Sequence, residues 1–480
     1  MRIVCLILIF LLLNPLVLSK ELYDNPIEFQ PTDSCKLNEF CTKYIDDIDI
    51  EKYIKQEIKN DYIVVSLDQC IDTALKNNFD IRIQEHEYLS SKYEYQNALS
   101  KFLPILNTTS YITDYSGQIL VGGVLRDTFH ETAVSVNITG QHLLTEGGKQ
   151  IFEAKARKYL QRAKKHDWNF NRSQTVYYTT RYYYEMLLAK INIEIYLRNL
   201  IERNAQLALA QKLEKSGFGT KFDVIRSKNE SAQAKVSLLS SLNDFRLSQA
   251  RLANVMGIEV GVALMPFEDD IQPLFLVDEN LTVDDLFKLA IQNREDLESI
   301  RDTIGYQKEI KNVYITEFIP KPMIEYQQQF QGTINHSIRP NYVLAAYMSW
   351  QPGENLGIGT ITKIKAQKEK IKATNLQLQN QLRNIEQTIV EAHSTSAFNK
   401  KEMEINKKRM DYSKESIKLA MLRFNNGKGI LLDVIQAQGE MTKARVAYVS
   451  SIIKYNISQT QLLFDTGTIN EEIIVKNYNP

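Results

Sequence analysis

The chain has 480 residues, 58 basic and 58 acidic side chains, and no net charge. That length holds two or three ordinary domains or one large repeat architecture. The charge balance argues against a nucleic-acid binder, which carries an overall or clustered basic excess.

Arg2 precedes an apolar run from Ile3 to Leu13, followed by Asn14, Pro15 and a small residue at Ser19. A positive start, a short apolar core and a small residue predict a secretory signal peptide over 1–19. The run is too short and broken for a membrane span, which needs about 20 apolar residues; an uncleaved anchor is the alternative. Residues 20–65 form a charged N-terminal extension, either a strap or a disordered arm. Cys35 and Cys41 lie within it, six apart. In an oxidising compartment they can close a small disulfide loop; two free thiols are the alternative. Cys70 falls on an apolar helical face and reads as buried and inert.

Proline placement divides the rest. No proline lies between Leu106 and Met265, or between Gly353 and Asn479. Since proline breaks helix interiors at a cost of about 3 kcal/mol, both stretches are free to be mostly helical. Steps of seven from Ala156 give Ala163, Phe170, Tyr177, Tyr184 and Ile191; steps of seven from Ile364 give Ile371, Leu378, Ile385 and Ala392. A sustained seven-residue repeat predicts a coiled-coil seam. A helix from Lys149 to Lys212 would be about 95 Å long at 1.5 Å per residue. Elsewhere the period is two. Val134, Val136 and Ile138 alternate with Ser135, Asn137 and Thr139. With 324–330, 342–350 and 105–115, this predicts two strands within about 105–144 and two within about 323–351. Each is near the 9–11 residues of a tilted membrane strand. A soluble two-faced sheet fits the alternation equally well.

The strongest signal is an internal repeat. Residues 66–81 align with 282–297, matching Asp68 to Asp284, Ala74 to Ala290, Asn77 to Asn293 and Asp80 to Asp296. The same offset carries Phe102-Leu103-Pro104 onto Phe318-Ile319-Pro320. Residues 216–225 align with 426–435, and Gly257 falls on Gly467. The domains predicted are repeat 1 over 66–257, a linker over 258–281, repeat 2 over 282–467 and a tail over 468–480. Each repeat reads helix, strand, strand, long helix, glycine turn, helix. Gly217 and Gly219, with Gly427 and Gly429, suit a reversal needing positive φ. Asp223 and Asp433 then lie in the first turn or two of the next helix, where a carboxylate is favoured.

This arrangement resembles the TolC-like outer-membrane factor (outer membrane efflux protein) family over roughly Ser66 to Gly467. The duplicated Asp-x5-Ala openings, the Phe-[Leu/Ile]-Pro helix ends and the Gly-x-Gly-x3-Asp-Val-Ile turns carry the likeness. The resemblance implies a mainly α fold with a membrane β-barrel portion. It implies a homotrimer sharing a twelve-stranded barrel, with a long helical tunnel across the periplasm. Residues 20–65 would then be periplasmic. The implied site is the Bacterial Gram-negative outer membrane, and the implied partners are outer-membrane lipid, a periplasmic adaptor (membrane fusion) protein and an inner-membrane transporter. No nucleic acid, cofactor or metal is implied. Turns 217–219 and 427–429 would be the adaptor-docking tips. Asp223 and Asp433 match gate carboxylates, whereas Gln436 stands where a further carboxylate is expected. The implied role is a passive exit duct of a tripartite efflux pump or type I secretion system, not an enzyme. The six histidines share no metal-ligand spacing, and no nucleophile elbow or phosphate loop is present. The alternative is a periplasmic or secreted coiled-coil scaffold or adaptor with a soluble β domain. For each Asp, helix capping is the alternative.

Overall fold

The computed structural model describes residues 62–478, apart from 122–123, 144, 279, 334–336, 351–352 and 354. The predicted signal peptide and the Cys35 and Cys41 pair lie outside the described residues, as does nearly all of the N-terminal extension. Among the described residues no helix is long and apolar enough to cross a membrane.

Repeat 1 opens with a short strand β1 (Ile63–Val65), then helices α1 (Leu67–Asn77) and α2 (Phe79–Ser100), then strands β2 (Ile105–Val121) and β3 (Val124–Leu143). A rod α3 (Lys149–Lys215) and its return α4 (Lys221–Met256) complete it. The linker contributes strand β4 (Leu264–Pro266). Repeat 2 gives α5 (Val283–Asn293), α6 (Glu295–Ile315), β5 (Lys321–Thr333), β6 (Arg339–Ser349), the rod α7 (Ile358–Asn425) and α8 (Leu431–Asp465). A short α9 (Glu471–Tyr478) ends the described chain. At 1.5 Å per residue each rod is about 100 Å long.

The rods are seams. Ala156, Ala163, Tyr177, Tyr184 and Ile191 are buried, as the seven-residue spacing predicts, while Phe170 in the same series is only half-buried. The facing α4 buries Val224, Ser227, Ser231, Ala234, Leu238, Leu242 and Phe245 at steps of three and four. Several of these are small, which lets antiparallel helices approach closely. In repeat 2, Ile385, Ile389 and Ala392 of α7 pack with Leu462 of α8 and Leu297 of α6.

Each opening helix expected from the sequence is in fact two helices with a sharp break. The break falls at Asn78 (ψ 126°) and Arg294 (ψ 117°), equivalent positions in the repeat. Asn78 Oδ1 accepts from the Asp80 and Ile81 amides, and Asn78 Nδ2 donates to the Val255 carbonyl at 2.8 Å. Arg294 reaches the equivalent carbonyl, Asp465 O, at 3.1 Å. It also grips Asp296 with two bonds of 3.0 and 2.9 Å and lies against the rings of Phe170 and Phe464. Burial raises the pKa of the neighbouring Asp465 carboxyl. The closing glycines explain the repeat's spelling. Gly257 (φ 68°) and Gly467 (φ 69°) cap the return helices in the left-handed region and sit hard against these breaks.

The linker is stapled to the helices. β1 and β4 pair in parallel, so Ile63–Val65, expected to belong to the extension, is part of the folded body. Lys190, almost wholly buried in α3, donates to Pro266 O, Glu268 O and Asp269 Oδ1 at 2.8–2.9 Å. Asn456 and Gln459 of α8 accept from the amides of Leu274, Leu276 and Val277. Cys70 is buried in the core, which pushes its thiol pKa up.

A Cβ on residue 257 would lie 2.4 Å from Asn77 O, at a φ that disfavours side chains. Gly257→Ala should therefore cost about 2 kcal/mol or more. Gly261, whose Cβ direction is open, provides the control: Gly261→Ala should be near neutral in the same thermal unfolding experiment.

Candidate functional site

Two regions carry features that packing alone does not need: the sheet at one end of the rods and the turns at the other.

β2, β3, β5 and β6 form one antiparallel sheet in that order. The register fixes its faces, since directly paired residues share a side. Ile112↔Val134↔Gly332, Ser110↔Val136↔Phe330 and Leu106↔Gly140↔Tyr326↔Leu344 lie on one side. Tyr342 and Met348 join them from β6. The other side carries Thr109↔Asn137↔Gln329, Asn107↔Thr139↔Gln327 and Gln141↔Glu325. On that side Ser135 and Asn137 are buried, so the polar face is the concave one. Asn137 Nδ2 donates to Tyr111 Oη at 3.3 Å, and Tyr347 Oη donates to Glu325 at 2.9 Å. On the apolar side Leu106, Ile112, Tyr342, Leu344 and Met348 stand largely in the open. Both outer strands, β2 and β6, have an unpaired edge among the described residues. Both hairpins lie close to the expected ranges, but the strands of the first run further than the alternating segments alone suggest. β2 and β3 stay paired well beyond the rungs that β5 covers.

At the far end the two turns are built alike. Gly217 (φ 77°) and Gly427 (φ 68°) occupy the left-handed region. Phe218 N donates to Leu213 O at 3.0 Å, and Lys428 N donates to Arg423 O at 2.9 Å, which closes each helix end. The second glycine of each pair has another task. A Cβ on Gly219 would come within 3.0 Å of Leu213, and one on Gly429 within 3.1 Å of Arg423. The first glycine gives the bend and the second gives close approach.

The two predicted gate carboxylates occupy equivalent positions but differ in their bonding. Asp223 is engaged in a capping box. Thr220 Oγ1 donates to Asp223 Oδ2 at 2.6 Å, the Thr220 amide donates to it at 3.1 Å, and the Asp223 amide returns to Thr220 Oγ1 at 3.2 Å. In the second turn Ile430 replaces the threonine and no side chain caps α8. Asp433, half-buried, is left with no side-chain partner among the described residues. Gln436 is exposed one turn on. No hydrogen bond or ion pair joins Asp223 to Asp433 among the described residues. The first tip also leaves Phe218 and Phe222 largely exposed.

Sequence reading missed the link between the two hairpins. Arg203 of α3 is buried and donates to Ile435 O of α8 at 3.1 Å and to Gln206 Oε1 at 3.3 Å. Desolvation lowers its pKa from the ordinary arginine value. Gly439 leaves room for the guanidinium, since a Cβ there would sit 3.3 Å from it. Alone in a helix, an arginine reads as a solvated charge; its burial depends on the neighbouring hairpin. The Thr220-x-x-Asp223 box was readable, because that spacing is a helix-start signature.

Residues 70–258 match the family model described as outer membrane efflux protein. No curated protein matches the sequence. Among solved structures, the Campylobacter jejuni CmeC outer membrane channel superimposes with a TM-score of 0.74 at 14% identity, covering 94% of this chain and 93% of that one. The outer membrane protein VceC from Vibrio cholerae gives 0.69 at 16% identity, covering 84% and 96%. The open-state MtrE outer membrane channel of Neisseria gonorrhoeae gives 0.68 at 15% identity, covering 84% and 91%. Likenesses at these identities establish a shared fold.

Thr220→Ala should cost about 1 kcal/mol through the lost cap, seen as faster amide exchange over 221–224. Asp433→Asn removes no cap and should leave exchange over 431–434 unchanged.

Proposed function

We propose that this chain, which matches the outer membrane efflux protein family model over 70–258 and shares the fold of outer-membrane channels, is one protomer of a trimeric exit duct. The duct would serve a tripartite efflux pump or a type I secretion system. The family match over 70–258 and the shared fold support a passive outer-membrane channel rather than an enzyme.

One observation carries the assembly. The four-stranded sheet has an apolar convex face, a polar concave face and, among the described residues, two open edges. A sheet in lipid must satisfy every backbone group, so it must close on itself. Four strands are too few to close, whereas three copies give a twelve-stranded barrel. The apolar face then meets outer-membrane lipid, and Asn137, Gln327 and Gln329 face the lumen. The rods stand in the periplasm of a Gram-negative-type cell.

The rods support the same closure. α3 packs on α4 and on α8, and α8 packs on α7, so α4 and α7 are the outer flanks. Each flank exposes an apolar stripe. On α7 it runs Val390, Phe398, Ile405, Tyr412 and Leu419 at steps of seven or eight; on α4 it holds Ile225, Val236 and Leu247. Ile225 and Leu419 each lie within about two turns of their own tip. Around a ring, α7 of one copy meets α4 of the next, and the stripes cover each other.

The tips are the docking ends for a periplasmic adaptor, which joins the duct to an inner-membrane transporter. Asp223 and Asp433 form the gate ring, with Asp433 the more available carboxylate. Rings of carboxylates favour cations, and Gln436 in place of a further acid weakens that preference.

In planar bilayers the protein should form cation-preferring pores of low resting conductance. The Asp223→Asn/Asp433→Asn double variant should shift the reversal potential toward the unselective value; an unmoved potential removes both residues from the gate. A cysteine pair at Ile225 and Leu419 should give covalently linked chains on mild oxidation. Linkage confined within single chains would contradict the ring order.

A further inference from the structure

We propose that the bare face of α2 is a clasp between copies: it packs on the sheet-side half of α7 in the next copy, with Phe79 and Ile83 closing over Leu376. The inference rests on the ring reading above and assigns a second contact within it, on another helix and from separate observations.

The duplication supplies the geometry. In the half of the rods nearer the sheet, the helices pack in the order α2, α3, α6, α7. Opening helix and rod therefore alternate, and each opening helix lies on its own rod in the same register. In repeat 1, Lys164 and Arg157 of α3 pair with Glu87 and Glu94 of α2, each at 2.6 Å. The matching rod positions in repeat 2 are Thr374 and Gln367. Gln307 Nε2 donates to Thr374 Oγ1 at 2.9 Å, and Gln367 Nε2 donates to Gln307 O at 3.2 Å. Gln307 matches Ser91, which lies between Glu87 and Glu94. But α6 has a second neighbour: its other face lies on α3, the rod of the preceding repeat. Among the described residues no rod covers the same face of α2. Continued around a ring, the alternation brings α7 of the next copy there.

The side chains agree position by position. Within the chain the α3–α6 seam is charged. His166 Nδ1 bonds to Glu295, His166 Nε2 lies 3.6 Å from Asp302, and Arg162 pairs with Asp302 at 3.1 Å. Ser299 and Asp302 of α6 and Ala163 of α3 are buried. Counted from Asp80↔Asp296 and Ser216↔Asn426, the residues of α2 that match Glu295, Ser299 and Asp302 are Phe79, Ile83 and His86. Those of α7 that match Arg162, Ala163 and His166 are Lys372, Ala373 and Leu376. Phe79, Ile83 and Leu376 are 65%, 54% and 64% exposed, and Ala373 is exposed too. Placed on the ring, Phe79 meets Leu376 where Glu295 meets His166. An apolar pair stands in place of an ionic one.

The exchange has a physical reason. Ion pairs that keep contact with water add little to association, whereas burying a ring and two branched chains adds more. A seam made by folding can be charged; a seam that must draw separate copies together gains from apolar surface. The clasp also continues the contact nearer the tips. There α4 takes the place of α2 beside α3, and the stripe on α7 runs on from Val390 to Leu419. Phe79 and Leu376 lie on opposite flanks of one chain, with α3 and α6 between them. A foreign partner on either flank would need no match between the two, whereas a second copy does.

The test uses the full chain in detergent. With Phe79→Cys and Leu376→Cys combined, a short thiol-reactive cross-linker should give covalently joined chains on a denaturing gel, and either substitution alone should give none. Particle mass is measured on the same samples. An unsubstituted chain that is monomeric would defeat the ring reading itself. Trimers of the double variant that stay unlinked would overturn the clasp alone and leave the α2 face to another part of the chain. Should only the double variant fall apart, Phe79→Glu decides, because Glu295 holds the same place in α6 and an acid suits a helix start. It should raise the concentration at which trimers half-dissociate by about tenfold or more. Adding Leu376→His, which copies the pair within the chain, should recover part of that loss. An unchanged midpoint for Phe79→Glu overturns the clasp.

Discussion

A β-sheet with two bare edges and an apolar convex face cannot rest in lipid alone. Every edge amide and carbonyl there needs a partner, because hydrocarbon offers none. Most other features of the chain follow from that constraint. The sheet supplies four strands and no means of closing, so copies must complete it. The rods then inherit the ring, which gives their outer flanks α4 and α7 reason to carry apolar stripes that no described part of the same chain covers.

Duplication makes the ring nearly regular, and the chain departs from regularity where the two halves have different work. Both repeats break their opening helix at the same place and wedge a closing glycine against the break. Repeat 1 secures this joint with Asn78, a small cap. Repeat 2 uses Arg294, held by Asp296, two aromatic rings and the Asp465 carbonyl. The tips differ as well. One carboxylate is held in a capping box with Thr220; the other has no such partner. Equivalent positions therefore differ in how freely each charge can act on a passing ion.

Much of the fold was legible in the sequence because its signals are periodic or punctuated. Proline exclusion outlined the rods, seven-residue steps named their buried seams, and Gly217 and Gly427 marked reversals that only positive φ permits. The strands were legible as a period of two, but neither face nor partner was. Register decided that Val136 shares a side with Phe330 and that Asn137 turns to the concave face. Three features were not legible. The helix breaks at Asn78 and Arg294 depend on carbonyls far along the chain. Arg203 looks like any solvated helix charge until the second hairpin lies beside it. The outer extent of β2 and β3 was concealed because residues 114–132 alternate poorly and carry Gly117. At the predicted gate, position and spacing were readable. The capping of Asp223 was readable too, through Thr220, but the isolation of Asp433 was not.

Native mass spectrometry of the detergent-extracted particle tests the central claim most directly. A species of three chains, stable only while amphiphile is present, is the expected result. A single chain that stays in solution after the amphiphile is removed would mean that the sheet never needed closing, and the account would fail with it.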